Sequence, residues 1–211
     1  MSEQTPEWVV AQRRELVGFL EGLSTEQWNA PTLCDGWRVR EVIAHITMPY
    51  RYSAPRFVVE MVKSRGNFNK MSNRRALADA SEVGEQQLLA SLRDNVAHPW
   101  KPPGGGFEGA LSHDVIHGQD IRVALGDDYV VPEDRLTRVL SGLSPKTVKY
   151  FGTDLDGARL RADDRDWTYG AGAEVHGAAQ DLLLVLCGRM LPPGHLLGDA
   201  SSRFTAPLPI R

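Results

Sequence analysis

Apolar residues recur at helical spacing through the first half of the chain. Val9, Leu16, Leu20 and Leu23 mark a helix over 6–23, with Pro6 suited to its first turn and Thr5 as its cap. A structured loop over 24–37 comes next, punctuated by Pro31, Asp35 and Gly36. Helix two begins near Arg38, where Val39, Val42, Ile43 and Ile46 form an i, i+3, i+4, i+7 stripe. Pro49 and Pro55 are expected to kink or break the chain beyond that stripe. A third helix is predicted over 74–97, with Leu77, Ala80, Leu88 and Leu92 facing inward. The stretch 99–109 is rich in Pro and Gly and reads as a flexible connection. Its Gly104-Gly105-Gly106 is not followed by Lys-Ser or Lys-Thr, which argues against a phosphate loop. A fourth helix over 109–125 stops at Gly126. Four helices with short to medium connections predict a helical bundle.

The texture changes after Gly126. Residues 132–150 look helical. Arg159 to Ala162 and Trp167 to Tyr169 alternate like short strands, with Asp163-Asp164 as the turn between them. Residues 175–190 are again helical, and the last twenty, which hold four prolines, are expected to run as an extended tail. The fold class read from this pattern is mainly α. A helical bundle over 1–127 is followed by a small α+β region over 128–211.

Composition narrows the function. The chain has 211 residues, 42% of them hydrophobic, enough for a substantial core. Its net charge of −3 argues against nucleic acid as the main partner, which needs a concentrated basic surface. The basic pairs Arg13-Arg14 and Arg74-Arg75 read as solvated helix faces. Met1 to Glu7 is polar, without the apolar core of a signal peptide. The strongest apolar run, Leu182 to Leu186, is far too short to span a membrane. With only Cys34 and Cys187, the expectation is a reduced, cytoplasmic protein with no membrane partner. The oligomeric state is left open, a homodimer included.

The chemistry gathers on helix four. His113 and His117 are four apart, so their imidazoles share one face, and Asp120 falls on it too. Polar groups on a mostly apolar face need something to satisfy them, and a divalent metal would do so. The alternative is two surface histidines and an exposed aspartate. The Glu of an H-E-x-x-H protease motif is absent, since residue 114 is Asp. His45 lies at the edge of the helix-two stripe and is either a hydrogen-bonded boundary residue or a ligand facing helix four. Three histidines would leave zinc an open, catalytic position. His98, His176 and His195 fit less well as ligands. Cys34 reads as a packing residue, and Trp28 and Trp37 as seals of the loop, with Trp37 a candidate for the pocket mouth.

The run from Pro31 to His45, Pro-Thr-Leu-Cys-Asp-Gly-Trp-Arg-Val-Arg-Glu-Val-Ile-Ala-His, resembles the helix-two signature of the DinB-like metalloenzyme superfamily. More narrowly, it resembles the N-terminal domain of the mycothiol-dependent maleylpyruvate isomerase family of actinobacteria. His113 to Gly126 resembles that family's second metal motif. Gly157 to Trp167 and Gly177 to Arg189 resemble its C-terminal segment. The resemblance implies a four-helix bundle holding one divalent metal, zinc by preference, through His45, His113 and His117. The isomerase pattern carries Glu where this chain has His113, and three histidines look more like the wider superfamily. An all-imidazole set is one charge more positive, which favours an anionic ligand such as hydroxide or thiolate.

The implied cosubstrate is mycothiol, a low-molecular-weight thiol held as a thiolate against a small electrophilic substrate. Asp120 has three roles open to it: orienting His117, binding substrate, or accepting a proton. Arg189 would pair with a carboxylate or serve only as a helix-end charge. The leading expectation is a metal-dependent mycothiol transferase or isomerase. Metal-assisted hydrolysis by zinc-bound water, and non-catalytic metal or small-ligand binding, are the competing classes.

Overall fold

The computed structural model describes residues 4–207. The chain divides into two compact units, Met1–Ile121 and Arg122–Arg211.

The first unit is helical. Helix α1 spans Thr5–Glu21, with Pro6 in its first turn. The short α2, Thr25–Trp28, starts in a full capping box: the Ser24 side chain accepts from the Gln27 amide, and the Gln27 side chain returns to Ser24. It lies within the stretch expected to be loop. Helix α3, Val39–Arg51, is started by Glu41, whose carboxylate accepts from the Arg38 amide at 2.8 Å. Its stripe of Val39, Val42, Ile43 and Ile46 is buried.

The two prolines mark the end of one helix and the start of the next: Pro55 loses no bond in a first turn, whereas Pro49 removes one intrahelical bond and α3 ends two residues later. Pro49 lies in the last turn of α3, and Pro55 in the first turn of α4, Ala54–Lys63, a helix the sequence pattern did not reveal. Ser53 caps α4, accepting from the Arg56 amide. This helix turns Val58, Val59 and Val62 to solvent and buries Glu60. Glu60 is held by Arg74 at 2.5 Å and Lys63 at 3.0 Å.

The expected third helix is two. Helix α5, Phe68–Glu82, begins at an Asn67 cap, and α6, Glu85–Arg93, begins after Gly84. Val83 is extended and Gly84 serves as N-cap, so the helical path breaks there. Ala80, Leu88 and Leu92 face inward as expected. Leu77 does not, because α5 turns Ala76, Asp79 and Ala80 to the core and leaves Leu77 44% exposed. Helix α3 packs on α5 and α6, and α1 packs on α6. Helix α7, Gly106–Ala124, ends before Gly126, which is left-handed at φ 72°. The principal rods of the bundle are therefore α1, α3, the α5–α6 pair and α7.

The second unit opens with α8, Glu133–Ser141, and α9, Pro145–Phe151, where one helix was expected. The break falls at Gly142 to Ser144, and Ser144 caps α9. Strands β1, Ala158–Ala162, and β2, Thr168–Gly170, pair antiparallel with Leu160 opposite Tyr169. A third strand, β3 (Ala173–Gly177), runs parallel to β1 on its other edge and was missed; the expected helix there shortens to α10, Ala179–Leu186. The apolar run of α10 is buried and packs on β1. The C-terminal stretch is not an extended tail. Leu197 bridges His176, Thr205 bridges Leu191, and the 3-10 helix Ser201–Phe204 buries Phe204; residues 208–211 lie outside those described.

Two stability measurements test this packing. Leu88→Ala should cost about 2–5 kcal/mol in chemical denaturation, whereas exposed Leu77→Ala should stay below about 1 kcal/mol. Equal costs would mean the α5 register is wrong. The second concerns Glu60, whose carboxyl is pushed down to about 2, first by its hydrogen bond to Arg74 and then by Lys63. A carboxylate lowered on folding contributes stability that is present above its ordinary value and lost as pH falls toward about 2. Acid titration of Glu60→Gln should therefore show a flatter loss of stability in that window than the parent protein.

Candidate metal centre

The site is built by α3 and α7, with α5 and the loop before α3 behind them. Helical spacing puts His113 and His117 on one face of α7, and the stripe of α3 turns His45 toward them. The three imidazole centroids lie 4.8 to 5.1 Å apart. His45 and His113 meet through their Nε2 atoms at 3.1 Å. One potential ligand atom from each of the three lies within 4.8 Å of the others.

The outer nitrogen of each ring is occupied. His45 Nδ1 pairs with Ser72 Oγ on α5 at 2.8 Å. His113 Nδ1 pairs with Asp114 Oδ1 at 3.0 Å, and His117 Nδ1 with Asp120 Oδ2 at 3.0 Å. A carboxylate accepts only, so the neutral rings of His113 and His117 carry their proton on Nδ1 and present Nε2 as a lone pair. Holding the far nitrogen in this way is how proteins orient metal-ligating histidines. The donor set fits a divalent cation: two imidazole nitrogens on one tetrahedral zinc, each about 2.0–2.1 Å from it, stand roughly 3.3 Å apart.

The residues singled out from sequence fall into two places. His45, His113, His117 and Asp120 come together in the first unit. Asp120 is fully buried, its carboxylate turned to His117 and to the Cys34 thiol, which donates to Oδ2 at 2.9 Å. Cys34 thus does more than pack, and its Sγ lies 3.7 Å from His117 Nδ1. Cys34, His117 and Asp120 form a second cluster of potential metal donors sharing His117. Arg189 is in the second unit, just after α10. There Nη1 donates to the Cys187 carbonyl at 2.8 Å, and the residue lines a cleft of about 390 Å³ with Asp154 and Arg203. Of the other histidines, His176 pairs with Asp163 and His195 with Asp181, while His98 accepts the Trp100 amide. Burial, aided by Asp164, raises the Asp181 carboxyl above its usual range against the pull of His195.

Sequence reasoning missed several contributors. Ser72 gives no signal. Asp114 adjoins His113 but reads from sequence only as the absence of a Glu. Arg13 reads as solvated, yet it is 1% exposed and donates from Nε to Asp114 Oδ2 at 2.7 Å. A signal for it exists, because Arg13 stands on the Val9, Leu16, Leu20 stripe while exposed Arg14 does not. Two indoles flank the rings. Trp37 lies 5.1 Å from His45 and donates Nε1–H to Asn73 Oδ1 at 2.7 Å, and Trp100 meets His113 edge-on at 5.3 Å.

The family model of the mycothiol maleylpyruvate isomerase N-terminal domain matches residues 9–122. The chain belongs to this family. The matched stretch contains the whole histidine cluster, from within α1 to the last turn of α7. The fold is similar to the crystal structure of the mycothiol-dependent maleylpyruvate isomerase, with 14% sequence identity, 97% of this chain and 94% of that one covered, and a TM-score of 0.62. A crystal structure of a histidine-to-alanine mutant of the mycothiol-dependent maleylpyruvate isomerase matches over the same shares at a TM-score of 0.53. At that identity the likeness is one of fold. No curated protein matches the chain by sequence.

The tautomers provide a direct check. Long-range proton–nitrogen NMR spectra at mildly alkaline pH should find the proton of His113 and of His117 on Nδ1. Asp120→Ala should release that preference at His117 alone. Protonated Nε2 atoms in the parent protein would contradict the geometry.

Proposed function

We propose that this protein is a metal-dependent enzyme that uses a low-molecular-weight thiol, mycothiol, to transfer to or isomerise a small electrophilic substrate. The observation that carries the reading is the convergence of His45, His113 and His117 with all three Nδ1 atoms held from behind. Membership of the isomerase family supports the thiol and the reaction class.

We assign His45, His113 and His117 as the ligands. The overlapping cluster of Cys34, His117 and Asp120 is the weaker choice. Its cysteine and aspartate are both buried, and the Cys34 thiol already donates its hydrogen bond to Asp120. When bound, a divalent metal, zinc by preference, supplies the positive charge that holds a thiol as its thiolate near neutral pH, where a free thiol of pKa about 8.5 is mostly protonated. The residues do the rest. Asp120 orients His117 and, being fully buried, does not reach substrate. Ser72 and Asp114 hold the other two rings. Trp37 and Trp100 exclude water from one edge each of His45 and His113. Arg189, with Arg203 on the same cleft wall, is the candidate for pairing with a substrate carboxylate. The reading places the enzyme in the cytoplasm, where Cys34 and Cys187 remain thiols.

Metal analysis and mycothiol titration test the proposal. The parent protein should take up one zinc, and His113→Ala or His117→Ala should abolish both uptake and activity. Asp120→Ala should weaken metal affinity or activity by about 10–100-fold. The informative substitution is His113→Glu, which should keep the metal but bind thiolate less tightly, because the added carboxylate repels it. Failure of the parent protein to bind any divalent metal would sink the reading. Equal or tighter thiol binding by His113→Glu would put the hydrolytic alternative ahead.

A further inference from the structure

Arg13 sits on α1, away from the histidines, and is buried. A guanidinium taken out of water needs partners on several sides. Here it lies over the Tyr50 ring at 5.5 Å, Nη2 has no hydrogen-bond partner among the described residues, and the bonds made by Nε and Nη1 lead to one imidazole. Nε donates to Asp114 Oδ2 at 2.7 Å, in a pair buried at both ends. The other oxygen of Asp114 holds His113 Nδ1 at 3.0 Å, and His113 Nε2 faces His45 Nε2 at 3.1 Å. Meanwhile Arg13 Nη1 donates to the carbonyls of His98 at 2.8 Å and Val96 at 3.3 Å. The segment so pinned carries Trp100, whose amide donates to His98 Nδ1 at 3.1 Å and whose indole abuts His113. Burial first and the Arg13 charge second push the His98 imidazole below its usual range, which keeps Nδ1 an acceptor for that amide.

We propose that Arg13 is a positioning residue of the metal centre: through Asp114 it fixes the orientation of His113, and through the 96–98 carbonyls it sets Trp100 against the same ring. The inference rests on the reading of His113 as a ligand. An ion pair that merely fastened α1 to α7 would need neither the second Asp114 oxygen on His113 nor the grip on the segment that carries Trp100.

The test separates fastening from positioning. Replacing both members of a buried ion pair by apolar residues of similar size often preserves stability, whereas removing one leaves a buried charge alone. The double variant Arg13→Met, Asp114→Leu should therefore remain folded by circular dichroism and thermal unfolding. It should bind zinc, measured by competition with a chelating dye, about 10–100-fold more weakly than the parent, the usual loss when the partner behind a ligating histidine is removed. Its cobalt(II)-substituted form should show a shifted visible spectrum. A folded double variant with parental zinc affinity and spectrum overturns the proposal. Because the double variant also removes Asp114, whose loss alone would weaken zinc binding, Arg13→Lys, with Asp114 left in place, decides whether Arg13 contributes. It keeps the charge but cannot serve Asp114 and both carbonyls together, so reduced zinc affinity supports the proposal and unchanged affinity overturns it. His113→Ala is measured alongside. Parental zinc binding by that variant would remove the ligand reading itself, whereas loss of zinc there with no change in the Arg13 variants defeats the Arg13 assignment alone.

Discussion

Three imidazole rings with centroids 4.8 to 5.1 Å apart bring six part-buried nitrogens together between α3 and α7, and a nitrogen withdrawn from water needs a partner. That demand organises the first unit. It explains why α5 presents a serine at Ser72, and why α7 carries aspartates at 114 and 120 on its buried side. It also explains a buried arginine on α1. Apolar stripes fix which face of a helix turns inward but leave it freer to slide along a neighbour. Directional hydrogen bonds to ring nitrogens do not, so the polar centre fixes the register that the hydrophobic surfaces leave loose.

The same layer bears on charge. The isomerase pattern that this chain resembles carries an acid where His113 stands. In this chain a carboxylate stands one layer further out, at Asp114, 3.0 Å behind the imidazole. Arg13 balances Asp114, while Asp120 is shared between an imidazole and a thiol. The inner face is therefore lined by three imidazoles, with the carboxylates placed behind them. Such a face makes imidazoles better donors without itself repelling an anion.

Much of this was legible beforehand, and the gaps have physical causes. The α3 stripe and the i, i+4 histidines could be read because their partners lie on the same helix face. Helix α4 escaped notice because its valines face outward and a single buried glutamate anchors it, the reverse of the usual amphipathic logic. Helices α5 and α6 merged into one expected helix because the break is a single residue pair, Val83-Gly84, and glycine inside a periodic run is an ambiguous sign. Strand β3 was hidden by the apolar run after it. Its end at Gly177 is set by a neighbour far along the chain, since a Cβ there would stand 2.5 Å from the His195 carbonyl oxygen. Arg13 and Ser72 act through contacts with distant segments, which no periodicity encodes.

The Asp120 carboxylate, shared by Cys34 and His117, couples the loop before α3 to α7, and the Leu33 amide reinforces the link by donating to the Asp120 carbonyl at 3.1 Å. A bulky adduct on Cys34 would push on the carboxylate that steadies His117. Thiol-directed reagents would then inactivate the protein, and added metal would shield it, although the sulfur takes no part in bond making. In a protein whose proposed cosubstrate is itself a thiol, that behaviour invites the conclusion that Cys34 is a nucleophile. The shared carboxylate would account for such inhibition with no attack by the sulfur.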